Sequence, residues 1–179
     1  MTQHGDDSQA QLRALIREVP DFPKPGINFR DITPLLGSPT HFTMAITGML
    51  PPWRESGITH VVGVESRGFI FGAPIALALG AGFVPVRKPG KLPHTVLRES
   101  YALEYGTDSL EMHSDALPPG ARVLVVDDVL ATGGTACATA RLVRRAGGTL
   151  EGFAFLIEIT ALGGRDGLGD ARIASSFAY

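Results

Sequence analysis

At 179 residues with a net charge of −2, the chain is long enough for one well-buried domain and short for two. Its 44% hydrophobic and 19% charged content excludes global disorder, and the slight acidic excess argues against the basic face that a nucleic-acid binder needs. The lone Cys137 excludes an internal disulfide framework and a cysteine-based metal cluster, and no run approaches the ~18 apolar residues of a membrane span. With a polar, acidic N-terminus that lacks a basic-then-apolar leader, these features point to a cytoplasmic protein.

Residues 1–8 show no periodic pattern and are expected as a frayed tail. Over 9–19, apolar residues at 12, 15, 16 and 19 keep helical spacing, which predicts a short amphipathic helix stopping at Pro20. Pro20, Pro23, Pro25 and Pro34, with Gly26, then impose an irregular extended segment, apolar enough to cover something. A helix is expected over 40–50, ended by Pro51 and Pro52. An α/β alternation follows, with strands over 58–64, 82–87, 123–126 and 152–159 and helices over 68–79 and 136–145. Continuous apolar strands and short connections predict a mostly parallel sheet with helices on both faces. Between Lys88 and Leu117 the pattern lapses into a long loop or projecting hairpin, the usual form of a functional lid. The tail after Gly163 is too generic to assign.

Three predicted strand ends carry chemistry. Asp127 and Asp128 follow the apolar run 123–126, and Ala131, Thr132, Gly133, Gly134 and Thr135 then open the next helix. Backbone N–H groups at a helix N-terminus, two glycines that let the chain approach an anion and two hydroxyls suit a phosphate. An Asp-Asp alone would be an ordinary solvated turn. Neither a Walker loop nor a dinucleotide fingerprint occurs, and a carboxylate pair ahead of a phosphate loop suits the vicinal hydroxyls of a sugar phosphate. Glu65-Ser66-Arg67-Gly68 follows the first sheet strand; Arg67 could grip a pyrophosphate with its planar fork, or simply stand solvated at a helix start. Arg87, Lys88 and Lys91 place three cations within five residues of an acidic chain, which suits a polyanionic leaving group. His94 and His113 flank the lid without a partner pattern for a triad or metal site, and His41 and His60 read as surface or boundary residues. Cys137 reads as a small packed residue of the helix after the phosphate loop.

The segment 122–135 resembles the signature of the type I phosphoribosyltransferases. Further strings, Val19-Pro20-Asp21-Phe22-Pro23-Lys24-Pro25-Gly26, Phe29-Arg30-Asp31-Ile32-Thr33-Pro34, Glu65-Ser66-Arg67-Gly68-Phe69, Arg87-Lys88-Pro89-Gly90-Lys91-Leu92-Pro93 and Leu103-Glu104-Tyr105-Gly106, resemble the adenine phosphoribosyltransferase family over about 12–162. The resemblance implies one type I domain: a twisted, mostly parallel sheet, an N-terminal hood over about 9–36 and a mobile lid over about 92–111. It implies transfer of a phosphoribosyl group from 5-phosphoribosyl-1-pyrophosphate to N9 of adenine, with Mg²⁺ carried by the substrate and Asp127 and Asp128 reaching it at most through water. Arg67, Arg87, Lys88, Lys91, Asp127, Asp128 and residues 131–135 would hold the donor. Phe29, which burial statistics alone would assign to core packing, would stack on the purine. The main chain around Asn28 and Arg30 would read the base edge and Ile159 cover its other face, with Asn28 standing where an apolar residue would be unsurprising. Glu104 would manage a proton on the imidazole ring and Tyr105 help position the donor. A homodimer is implied, without nucleic acid or membrane. The alternatives are transfer to xanthine, guanine or hypoxanthine, and a non-catalytic sensor of the donor; the sensor would call for an added DNA-binding segment and a basic face, which the sequence lacks.

Overall fold

A computed structural model describes residues 3–102 and 106–179. The chain divides into two compact units, one up to Gly48 and one from Met49 to Tyr179.

In the first unit, α1 spans Gln3–Ala14, so the helix starts before the expected frayed tail has ended. Apolar spacing is blind to this polar first half, where Gln11 donates to Asp7 one turn back at 3.2 Å. The helix also stops five residues short of the expected end at 19, because β1 (Arg17–Val19) pairs antiparallel with β2 (Phe29–Asp31). A short helix, α2 (Thr33–Leu36), starts inside the proline-rich stretch with Pro34 in its first turn, where its missing N–H costs nothing. Asp31 accepts from the Thr33 N–H at 2.9 Å just ahead of it. Ile32 and Leu35 are buried, and α3 (Pro39–Met49) ends at the boundary of the unit.

The second unit is built on a five-stranded sheet of β3 (His60–Val64), β4 (Gly82–Val86), β7 (Arg122–Leu130), β8 (Thr149–Glu158) and β9 (Arg172–Ala178). The order is β4-β3-β7-β8-β9 and every pairing is parallel. Between them lie α4 (Gly68–Leu79), the antiparallel hairpin β5 (Val96–Ala102) and β6 (Thr107–His113), and α5 (Gly134–Arg145). The β3-α4-β4 crossover moves one way along the sheet and β7-α5-β8 the other. With right-handed crossovers this puts α4 and α5 on opposite faces and creates a topological switch point between β3 and β7. Burial follows this division. Val62, Val123 and Val125 join Leu142 and Val143 of α5 in one core, which also takes Leu110 and Met112 of β6. Val61, Leu124 and Val126 alternate to the other face, and Phe71 and Ile75 of α4 are fully buried. Pro85 is accommodated because β4 is an edge strand.

The sequence pattern matches α4 at both ends and α5 within two residues, but two strands differ from expectation. β7 does not stop at Val126; it continues to Leu130, because β8 supplies partners for Asp127, Val129 and Leu130 after β3 has ended. The unassigned tail contributes β9, whose Ser-Ser centre hides its strand character while Phe177 is buried.

Candidate active site

Ligands of open α/β sheets gather beyond the strand carboxyl ends at the switch point, and the predicted donor residues of β3 and β7 meet there. Arg67 caps α4, and its Nε lies 2.8 Å from Oδ2 of Asp128. Gly68 is needed at this approach, since a Cβ there would stand 2.8 Å from Asp127 Oδ1 and 3.0 Å from the Val126 carbonyl. Asp127 Oδ1 accepts the N–H of Asp128 at 2.9 Å. Burial pushes the Asp127 carboxyl well above the usual carboxylate range, and the neighbouring Asp128 charge adds to the shift. Asp128 is also raised by burial, with the Arg67 charge opposing. The pair is thus two adjacent buried carboxyls with one guanidinium against them.

Beyond β7, Ala131, Thr132 and Gly133 turn the chain into α5. Gly133 caps the helix at φ 83°, a left-handed conformation that favours glycine, and Gly134 starts the helix. Residues 129–136, with Asp127 and Phe155, line a cavity of about 80 Å³ at the helix N-terminus. The hydroxyl of Thr135 donates to Tyr101 Oη on the hairpin at 3.4 Å. The cavity therefore combines orphan N–H groups, the positive end of the α5 dipole and a hydroxyl, the chemistry of a phosphate site.

The cationic cluster is present, but its members face internal carboxylates. Glu65 accepts from Arg87 Nε at 3.1 Å, from the Lys88 N–H at 3.0 Å and from Lys91 Nζ. Burial alone would raise the Glu65 carboxyl, yet these hydrogen bonds and the charges of Lys91 and Arg87 carry it below its ordinary value. Lys88 Nζ pairs with Asp108 at 3.0 Å, which raises the lysine. The Ser109 N–H and then Lys88 lower Asp108 in turn. Sequence reasoning assigned no task to Glu65, Asp108 or Tyr101, since nothing in their local spacing announces partners 20 to 34 residues away.

The hairpin that carries Asp108 is fixed at its base. Glu111, 2% exposed, accepts from Arg98 Nε at 2.8 Å and from the Gly90 N–H at 2.9 Å, and exchanges backbone bonds with Arg87. On the other strand, Glu99 receives Arg141 at 2.9 Å and Arg145 at 2.5 Å, both from α5. The expected lid over 92–111 therefore includes strands anchored to the sheet and to α5. Glu104 and Tyr105 lie outside the described residues.

The predicted base residues divide between the units. In the first, Phe29 meets Phe22 edge-on with ring centroids 5.2 Å apart, Asn28 donates to Glu18 at 3.5 Å, and Arg30 pairs with Glu18. In the second, Ile159 follows β8, and its N–H donates to the Leu130 carbonyl at 2.9 Å, immediately before the phosphate loop. Neither histidine beside the hairpin joins the site; His94 faces Asp115 at 3.7 Å and stacks edge-on with His113. Cys137 packs beside the core and donates to the Gly167 carbonyl at 3.1 Å. Among the described residues no group of three or more His, Cys, Asp or Glu side chains gathers for a metal, and no helix is long and apolar enough to cross a membrane.

A family model for the phosphoribosyl transferase domain matches residues 44–166. The chain is 60% identical over 170 residues to the adenine phosphoribosyltransferase of Myxococcus xanthus, covering 95% of this chain and 92% of that protein. Among solved structures, adenine phosphoribosyltransferase from Rhodothermus marinus superposes with a TM-score of 0.92 at 56% identity, over 97% of this chain and 99% of that one. The Saccharomyces cerevisiae enzyme, solved with an imino-altritol bisphosphate and adenine, superposes with a TM-score of 0.90 at 39% identity, over 96% and 99%. With a domain match from β3 through β8, and relatives aligned nearly end to end, the chain belongs to the phosphoribosyltransferases and, among them, to the adenine phosphoribosyltransferase family.

Proposed function

We propose that the chain transfers the 5-phosphoribosyl group of 5-phosphoribosyl-1-pyrophosphate to N9 of adenine, giving AMP and pyrophosphate in purine salvage. The observation that carries this reading is the meeting, at one switch point, of the Arg67–Asp128 pair and a glycine loop opening α5, in a chain that covers adenine phosphoribosyltransferases nearly end to end. The loop 131–135 takes the 5-phosphate and Asp127 and Asp128 accept from the ribose hydroxyls. Arg67, Arg87, Lys88 and Lys91 hold the pyrophosphate. As the bond from C1 to the pyrophosphate oxygen breaks and the N9–C1 bond forms, these cations stabilise the charge on the departing oxygens.

Glu65 and Asp108 hold the lysines in place until the donor arrives, so the pyrophosphate enters by replacing carboxylate partners. Two adjacent carboxylates fit a Mg²⁺ that keeps most of its waters and is bound mainly through substrate oxygens. When bound, it would supply further positive charge to the pyrophosphate; Asp127 and Asp128 would reach it through water. By the family resemblance, Phe29 stacks on adenine, the main chain around Asn28 and Arg30 reads its edge, Ile159 covers it, and Glu104 takes the imidazole proton while Tyr105 positions the donor. By the same resemblance, the lid over about 92–111 closes over the reacting carbon and excludes water. The chain is, by the same resemblance, one cytoplasmic catalytic domain with an N-terminal hood segment over about 9–36. A homodimer is implied by the family resemblance, and Leu77 of α4, 83% exposed, is the contact that tests it.

Incubation with the donor, Mg²⁺ and adenine, hypoxanthine, guanine or xanthine in separate reactions tests the reading. AMP from adenine is the expected product. Turnover confined to an oxopurine would move the acceptor, and donor binding without turnover of any base would favour a sensor.

A further inference from the structure

The turn that follows β8 touches the phosphate loop, and its glycines show how closely. A Cβ on Gly133 would lie 2.4 Å from the Gly164 carbonyl oxygen, and a Cβ on Gly164 would lie 2.2 Å from the Ala131 carbonyl oxygen. Loop and turn thus meet backbone against backbone, at a separation that side chains on either would prevent. Three further contacts fix this turn to the strands beneath the site. The Arg165 fork grips Glu158 at both oxygens, Nε to Oε1 at 2.5 Å and Nη2 to Oε2 at 2.7 Å. Ser175 of β9 donates to the same carboxylate at 2.7 Å. Glu158 is 5% exposed and stands in register with Leu130, the last residue before the loop, while the Ile159 N–H donates to the Leu130 carbonyl.

From this arrangement we infer that the turn 159–165, locked by the Glu158–Arg165 pair, positions the phosphate loop: it holds residues 131–135 in the shape that recognises a 5-phosphate. Arg165 is a positioning residue. Its guanidinium is spent on Glu158 and acts on the ligand only through Gly164 and the loop backbone. The inference rests on the reading of 131–135 as the phosphate site.

The test compares the affinities of AMP and adenosine by calorimetry in the full-length protein and in Gly164→Ala, Arg165→Met and Arg165→Lys, each checked for native circular dichroism. A variant that merely loosens the fold weakens both ligands alike, whereas a misplaced loop weakens only the ligand bearing phosphate. Wild type should prefer AMP strongly. Gly164→Ala and Arg165→Met should lose about tenfold or more of that preference, the size of one charge-assisted hydrogen bond. Arg165→Lys, which keeps the charge beside Glu158, should retain part of it. An unchanged AMP-to-adenosine ratio in the folded variants would overturn the inference, as would loss of fold in all three, which would make the turn a stability element. Absence of any preference in wild type would instead sink the phosphate-site reading itself.

Discussion

Asp127 and Asp128 carry opposite demands, since the fold penalises their charge while the proposed chemistry needs them to accept hydrogen bonds. Asp127→Asn keeps an oxygen for the Asp128 N–H and removes a carboxyl that burial holds well above its ordinary range. Its melting temperature should equal or exceed that of wild type, while donor affinity falls tenfold or more, in line with roughly 1.5–3 kcal/mol for a hydrogen bond to a charged group. A lower melting temperature in a thermal scan would show a structural pair. Glu104 makes the complementary case. Glu104→Ala should lower kcat by about 10²–10⁴-fold with little change in donor KM if it manages the proton. Equal losses in both, measured by steady-state kinetics, would make it a binding residue. The Asp127–Asp128 pair and the glycine loop after it can be picked out in the sequence because they are local, a strand, a carboxylate pair and glycines within 14 residues, whereas the role of Glu104 is implied only by the family resemblance. Glu65 and Asp108 cannot be picked out, because their partners come from distant elements, nor can Arg165, because its partner Glu158 gains meaning only from standing in register with Leu130 before the phosphate loop.

At the scale of elements, β7 and the hairpin show how pairing decides what patterns leave open. β7 outruns its apolar core because β8 continues beside it, so Asp127 sits within a strand and is held by the sheet. The hairpin, one of the two forms expected between Lys88 and Leu117, has two seven-residue strands; Glu111 lies buried between Leu110 and Met112, so burial over 107–113 does not alternate and leaves no period of two to read. Glu111 also sets a pH dependence. Arg98 and then the Gly90 N–H hold its carboxyl below the ordinary value of 4.5. Because the folded value is depressed, its contribution to stability is present above pH 4.5 and is lost as pH falls through the folded value. Denaturant titrations from pH 7 to 3 should therefore show a stability gap between wild type and Glu111→Gln that narrows below about pH 4.5. A gap that stays constant through that range would contradict the assignment. β9 could not be foreseen from its Ser-rich centre; it forms because β8 offers a free edge and Phe177 has a core to enter.

In the second unit, the parallel order β4-β3-β7-β8-β9 creates one switch point, and Arg67 beyond β3 and Asp128 of β7 converge on it from 61 residues apart. Fold class was legible because alternating helical and strand periods leave few topologies. The local structure of residues 20–34 was not, since a proline-rich segment has no period to read. The proposed dimer is tested by sedimentation: Leu77→Lys should shift the protein from dimer to monomer, and an unshifted dimer would place the interface elsewhere. The central claim concerns what the molecule makes. Adenine, hypoxanthine and guanine at equal concentration, with limiting 5-phosphoribosyl-1-pyrophosphate and Mg²⁺, should yield AMP as the dominant nucleotide by mass spectrometry, with pyrophosphate released in equal amount. IMP or GMP as the main product, or pyrophosphate released without nucleotide, would contradict it.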